Sequence, residues 1–158
     1  MDTPELPDTL LKAGAEYQGK LAKLGLRPEA MMWAYAFEEK QFLLWIVWSG
    51  LDRFGPLAIQ RLLFQAYNAS ALPKEIDPFS VVIHSPRESV ISGVLRQLAK
   101  SDVEAMQIGV GTVGDARTEA KVEFRRAWAY RISAKMLSST DVSRAWQRFS
   151  ANVDALAA

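Results

Sequence analysis

Residues 30–50 read AMMWAYAFEEKQFLLWIVWSG. Three of the five tryptophans fall here, with Tyr35, Phe37 and Phe42 among them. Aromatic side chains bring large apolar areas to a core, so this stretch is expected at its centre. Met31, Trp33, Tyr35 and Phe37 alternate with Met32, Ala34, Ala36 and Glu38, a period of two. Residues 42–48 are apolar at every position and rich in Trp, Ile and Val, as in a strand covered on both faces. The reading is a β-hairpin that turns over residues 38–41. Against it, EEKQ holds none of the usual turn residues Gly, Asn, Asp or Pro. The rival is one long helix, with Pro28 in its first turn and Gly50 as its stop.

That choice sets the fold class. The hairpin gives an α+β fold: one domain spanning 1–158, a mixed or antiparallel sheet of about five strands, and the order α-ββ-α-β-α-ββ-α. The helix gives the alternative, an all-α bundle. Outward from the hairpin, residues 1–7 are expected to fray. Asp8 caps a helix running to Leu24, with Leu10, Gly14, Tyr17, Leu21 and Leu24 on one stripe and Gly25 as its stop. Residues 50–55 read as a loop, and Pro56 opens a second helix whose inner face is Ile59, Leu62, Leu63, Ala66 and Tyr67. Phe64 falls outside that face and is expected to be exposed. Residues 79–83 form a short buried strand. Ser85-Pro86-Arg87-Glu88 reads as a capping box for a third helix, facing inward through Ile91, Val94, Leu95 and Leu98. Residues 103–113 form a strand. Val122, Phe124, Trp128, Tyr130 and Ile132 share one parity, which supports a further strand, although a helix fits the composition of that segment nearly as well. Ser139 caps the last helix.

Composition excludes several classes of function. The chain has 158 residues, no cysteine and one histidine. That rules out disulfides, thiolate metal sites and cysteine nucleophiles, and no metal site is expected. The acidic start MDTPELPD is not a signal peptide, and no apolar run approaches a membrane span. A cytoplasmic location away from membranes is the expectation. The net charge of +1 is unevenly spread: residues 117–148 carry eight Lys or Arg against three Asp or Glu. Such asymmetry favours an anionic partner, unless the arginines simply solvate an outer face.

Three constellations are candidates for chemistry. At 84–88 a strand meets a helix N-terminus, where free N–H groups favour an anion. His84, Ser85 and Arg87 would complete such an anion site, and His84 would be the natural base of a small enzyme. Ser85 acting only as a cap, with Glu88 already on the helix dipole, is the plainer account. The second constellation, Gly109-Val110-Gly111-Thr112-Val113-Gly114, matches G-x-G-x-x-G literally. It lacks the following helix and acidic residue of a dinucleotide site, so strand glycines explain it better and no cofactor is expected. In the third, Arg117, Lys121, Arg125 and Arg131 interleave with aromatics, as in surfaces that bind nucleic acid or another polyanion. Equal parity places Arg125 and Arg131 on one side of a strand.

No convergent catalytic set emerges. The preferred expectation is a non-catalytic domain that binds another protein, or itself, through Trp33, Tyr35, Phe37 and Phe64. Nucleic-acid or polyanion binding through 117–148 is the alternative, and a small enzyme at 84–88 the second alternative.

Overall fold

The computed structural model describes residues 3–100, 102–112, 115–133 and 135–156, with the side chains of 110–120 outside the description. The elements run α1 (Asp8–Leu24), β1 (Ala30–Ala36), β2 (Gln41–Val47), α2 (Leu51–Asn68), β3 (Val81–His84), α3 (Ser89–Ala99), β4 (Ala105–Thr112), β5 (Asp115–Arg131) and α4 (Ser139–Leu156). The five strands form one mixed sheet, ordered β3-β2-β1-β5-β4. The fold is α+β, in the expected order, and not a helical bundle.

Residues 30–50 do form a hairpin. β1 and β2 pair antiparallel from Ala30↔Val47 to Ala36↔Gln41. Alternation then divides the side chains between two layers. Met31, Trp33, Leu44 and Ile46 pack with the inner faces of α1, α2 and α4. Ala30, Met32, Ala34, Trp45 and Val47 pack with Ile91, Val94, Leu95 and Leu98 of α3. The two layers explain why 42–48 is apolar throughout, since both faces of β2 are covered. β2 and β3 run parallel, which demands a crossover, and α2 supplies it.

Several boundaries differ from the sequence reading. Residues 3–6 are docked rather than frayed: Thr3 Oγ1 donates to Glu123 Oε1 at 2.9 Å and Leu6 packs against the core. Pro7, not Asp8, is the N-cap of α1, and no side chain caps it. Helical structure starts at Leu51 rather than Pro56, because a short turn precedes a kink at Gly55 (φ 80°, ψ 158°), which Pro56 then follows. Residues 78–80 form a 3-10 turn before β3. Glu88 Oε1 accepts from Ser85 N at 3.1 Å as expected, but Ser85 Oγ accepts from Arg87 N, also at 3.1 Å, rather than from Glu88 N. They close a turn, however, and α3 begins only at Ser89, with Glu88 as N-cap.

The largest difference lies in β5. Ala34 pairs with Phe124, yet Met32 pairs with Ala129, so two residues of β1 span five of β5. This bulge reverses the parity of the strand. Val122 and Phe124 therefore pack on the α3 layer, while Trp128 and Tyr130 pack on the opposite one. Shared parity along this segment is not a shared face. Tyr130 is held there by a hydrogen bond from Trp33 Nε1 (2.8 Å) and by its own donation to Leu11 O (2.6 Å). Its hydroxyl occupies the space that a Cβ at Gly14 would fill, so position 14 on α1 requires glycine.

Candidate anion-binding cleft

Four exposed arginines from three parts of the chain converge where α1, α4 and the end of β5 meet. α1 stops at Gly25, which takes the left-handed conformation (φ 105°) that glycine adopts without penalty. The chain then buries Leu26 and Pro28 and leaves Arg27 between them in solvent. Arg131 ends β5, opposite Met31. Arg144 and Arg148 are one turn apart on α4, whose other face buries Val142, Phe149 and Val153. Asn152 Nδ2 donates to Leu24 O at 2.9 Å and ties α4 to the end of α1. The stem of Arg148 lies against Gly25, where any side chain would collide with it.

These arginines line a cleft of about 470 Å³, with Ala22, Gly25, Leu137 and Ala145 as a small, apolar floor and Asp141 as its one carboxylate. Among the described residues none of the four makes a salt bridge. Behind the cleft Glu29 is buried. Burial pushes its carboxyl above the usual range; Ser49 and the charge of Arg131 pull the other way without cancelling the effect. The arrangement offers multiple guanidinium forks to an oxyanion.

The residues singled out from sequence are distributed differently. Arg125 is already engaged: its Nε donates to Glu123 Oε2 at 2.9 Å, its NH1 lies 3.4 Å from Glu5, and its guanidinium sits 4.8 Å over the Trp128 ring. Burial opposes the charge of Glu123, but hydrogen bonds from Gln107, Thr3 and Arg125 and the Arg125 charge outweigh it and hold its carboxyl below the usual range. Lys121 lies 5.7 Å over the Phe37 ring. The Arg117 side chain is outside the described residues. Of the expected cations whose side chains are described, Arg131 alone lines the cleft. A second register shift, between Met31 and Met32, cancels the parity change of the bulge, so Arg125 and Arg131 do lie on one side of β5, but they do not share one site.

At the strand–helix junction, carboxylates of the chain itself take the donors. Ser85 Oγ donates to Asp52 Oδ2 at 2.6 Å, and Arg87 NH1 lies 3.8 Å from the same oxygen. His84 stacks on Trp45 with centroids 4.0 Å apart, and its Nδ1 is 3.1 Å from Glu88 Oε2. The G-x-G-x-x-G stretch runs through β4, where Gly109 pairs with Lys121. Its last two residues, Val113 and Gly114, lie outside the described residues.

Of the expected interface aromatics, Trp33 is core, with 1% exposure. Tyr35 and Phe37 are half-buried and stack edge to face at 5.2 Å. Phe64 is half-buried too, because Phe79 stacks against it at 5.0 Å and is itself 83% exposed. The sequence reading missed Phe79 by assigning it to a buried strand. It missed Arg27, which lies far from the basic tract, and it counted Arg144 and Arg148 in that tract without joining them to Arg27 and Arg131 in one site.

No protein-family model matches the chain, and comparisons with curated proteins and with solved structures also find no match. None of the described helices is long and apolar enough to cross a membrane, and the described residues contain no group of His, Asp and Glu that could hold a metal ion.

Proposed function

We propose that the chain is a non-catalytic binding domain that takes an anionic ligand in the Arg27–Arg131–Arg144–Arg148 cleft. The observation behind this reading is that four cations converge on one concave surface while, among the described residues, no carboxylate is bridged to them. Like charges at i, i+4 on a helix destabilise it by about 0.2–0.5 kcal/mol, so Arg144 and Arg148 do not serve the fold by their charges. The lining residues offer one carboxylate and no nucleophile, which favours binding over chemistry. Titration with inorganic tripolyphosphate at low and moderate salt tests the proposal. Arg144→Gln with Arg148→Gln should weaken binding at least about tenfold, since a hydrogen bond to a charged group contributes roughly 1.5–3 kcal/mol. Arg125→Gln should bind as the wild type does. No wild-type binding at low salt, or unchanged binding by the double variant, would overturn the proposal.

A second reading, protein binding, is favoured by Phe79, 83% exposed, and Leu57, 71% exposed, on the rim of α2. Apolar surface of this kind marks an interface when it is contiguous. A second copy of the chain is the simplest partner. Light scattering over a range of concentration should show association that Phe79→Ser abolishes; a wild type that stays monomeric throughout removes self-association.

A further inference from the structure

We infer that β4 pairs, edge to edge and antiparallel, with the β4 of a second copy of the chain. This surface is distinct from both the arginine cleft and the rim around Phe79. β3 and β4 are the two edges of the sheet. The β3 edge is four residues long, and α2 reaches it where Gln60 Nε2 donates to Val81 O at 3.1 Å. The β4 edge is eight residues long, Ala105–Thr112, and carries no charge and no proline. Short strands, edge charges, prolines and bulges keep sheet edges apart. β4 has none of the first three, and its ladder with β5 is regular from Ala105 to Gly111.

Backbone geometry fixes what this edge presents. Arg126 N donates to Glu104 O at 2.9 Å, so Glu104 and Arg126 form a hydrogen-bonded pair. Such pairs alternate along an antiparallel ladder, and the register runs unbroken from Ala105↔Arg125 to Gly111↔Glu119. Met106, Ile108 and Val110 therefore bond inward to β5, while Ala105, Gln107, Gly109 and Gly111 direct N–H and C=O outward. Among the described residues no backbone hydrogen bond reaches these four from the outer side. Ala105, Gln107 and Gly109 are exposed. An extended strand completes such a row of groups. What selects a second copy is the match of the strand to itself. A twofold axis at Ile108 places 105 opposite 111 and 107 opposite 109, so every outward residue is paired. Among residues of the other parity, Ile108 falls opposite its own counterpart and Met106 opposite Val110, apolar in each case. Ile108 and Met106 belong to the α3 layer, which the pairing would extend across the axis. The nearest charge, Glu104, falls opposite the uncharged Thr112.

Analytical ultracentrifugation of the full chain over a wide range of concentration should show a monomer–dimer equilibrium. Hydrogen exchange reads the register. The amides of Gln107 and Gly109 should slow as concentration rises, whereas those of Met106 and Ile108, already bonded to β5, should be slow throughout. Gly109→Pro removes one outward N–H and leaves the bonds to β5, as proline is tolerated on a sheet edge. Gly109→Lys places a charge on that edge. Each should raise the dimer dissociation constant at least about tenfold, the proline because a hydrogen bond is lost in each half of the pair. Monomer melting should stay close to that of the wild type; should the proline variant fail to fold, the lysine variant decides. Phe79→Ser should leave this dimer intact. A wild type that stays monomeric, or a dimer that the folded Gly109 variants form as readily, overturns the inference. So does a dimer without slowed exchange at 107 and 109. Slow exchange there in a monomer would mean that a segment of the same chain covers the edge, which overturns it too. A dimer lost in Phe79→Ser but kept in Gly109→Lys overturns it in favour of the apolar rim. Tripolyphosphate binding by the arginine cleft is a separate measurement and stands or falls on its own.

Discussion

At position 29 a carboxylate is nearly sealed from water, with 2% exposure. Its Oε2 accepts from Ser49 N at 2.8 Å, and its Oε1 has no partner among the described residues. Burial raises its pKa, so the native chain keeps this proton at pH values where the unfolded chain, titrating near 4.3, has lost it. The stabilisation is therefore complete below the unfolded value and declines as pH rises through the window up to the raised native value. Glu29→Gln keeps an acceptor for Ser49 N and carries no charge. Its stability relative to wild type should increase through that window and then level off, measured by urea unfolding between pH 4 and 8. A difference independent of pH would mean that the carboxylate is unperturbed. Nothing in the local sequence RPEAMM marks Glu29, because its burial is imposed by segments distant in the chain. Trp33 shows the converse. Its aromatic context was legible, but its place in the core depends on Tyr130, 97 residues away, which satisfies the indole N–H.

Elements were more legible than residues. The period of two in 30–36 and the apolar run after it identified the hairpin although its turn carries no glycine. The left-handed position there is filled by Lys40 (φ 53°), at a cost of about 1–2 kcal/mol that the pairing of β1 and β2 overrides. Ser85 and Glu88 were recognised as partners, but the contribution of α2 was not: Asp52 reaches from its first turn to accept the Ser85 hydroxyl. This bond joins the start of α2 to the β3–α3 connection. Ser85→Ala should cost about 1–2 kcal/mol, and a double-mutant cycle with Asp52→Asn should show coupling of at least about 0.5 kcal/mol. Additive single effects in denaturant unfolding would mean that the two elements are not joined there. The parity of β5 misled for a physical reason. A bulge adds residues without any compositional mark, so one sequence pattern serves two faces.

For the whole molecule, one sheet separates two apolar layers, and both depend on it. Trp45→Ala opens the α3 layer and Leu63→Ala the layer of α1, α2 and α4. Each should lose several kcal/mol, about 3–5 for the tryptophan and 2–5 for the leucine. In both variants far-UV dichroism and tryptophan fluorescence should follow one shifted transition, since neither layer can persist without the sheet. Separate midpoints for the two probes would show that the layers unfold independently. The arginine cleft belongs to this scale as well, which is why the basic tract at 117–148 hinted at it without locating it. The β5 bulge also determines where the chain tolerates a change of length. At the turn over 37–40 a residue added or lost alters only a loop at the edge of the hairpin. Between Phe124 and Ala129, deleting one residue would exchange one layer for the other along the rest of the strand, turning Trp128 and Tyr130 away from α1, α2 and α4 toward the α3 layer and carrying Arg131 with them. The most irregular stretch of the sheet is thus the one whose residue count is most strictly fixed.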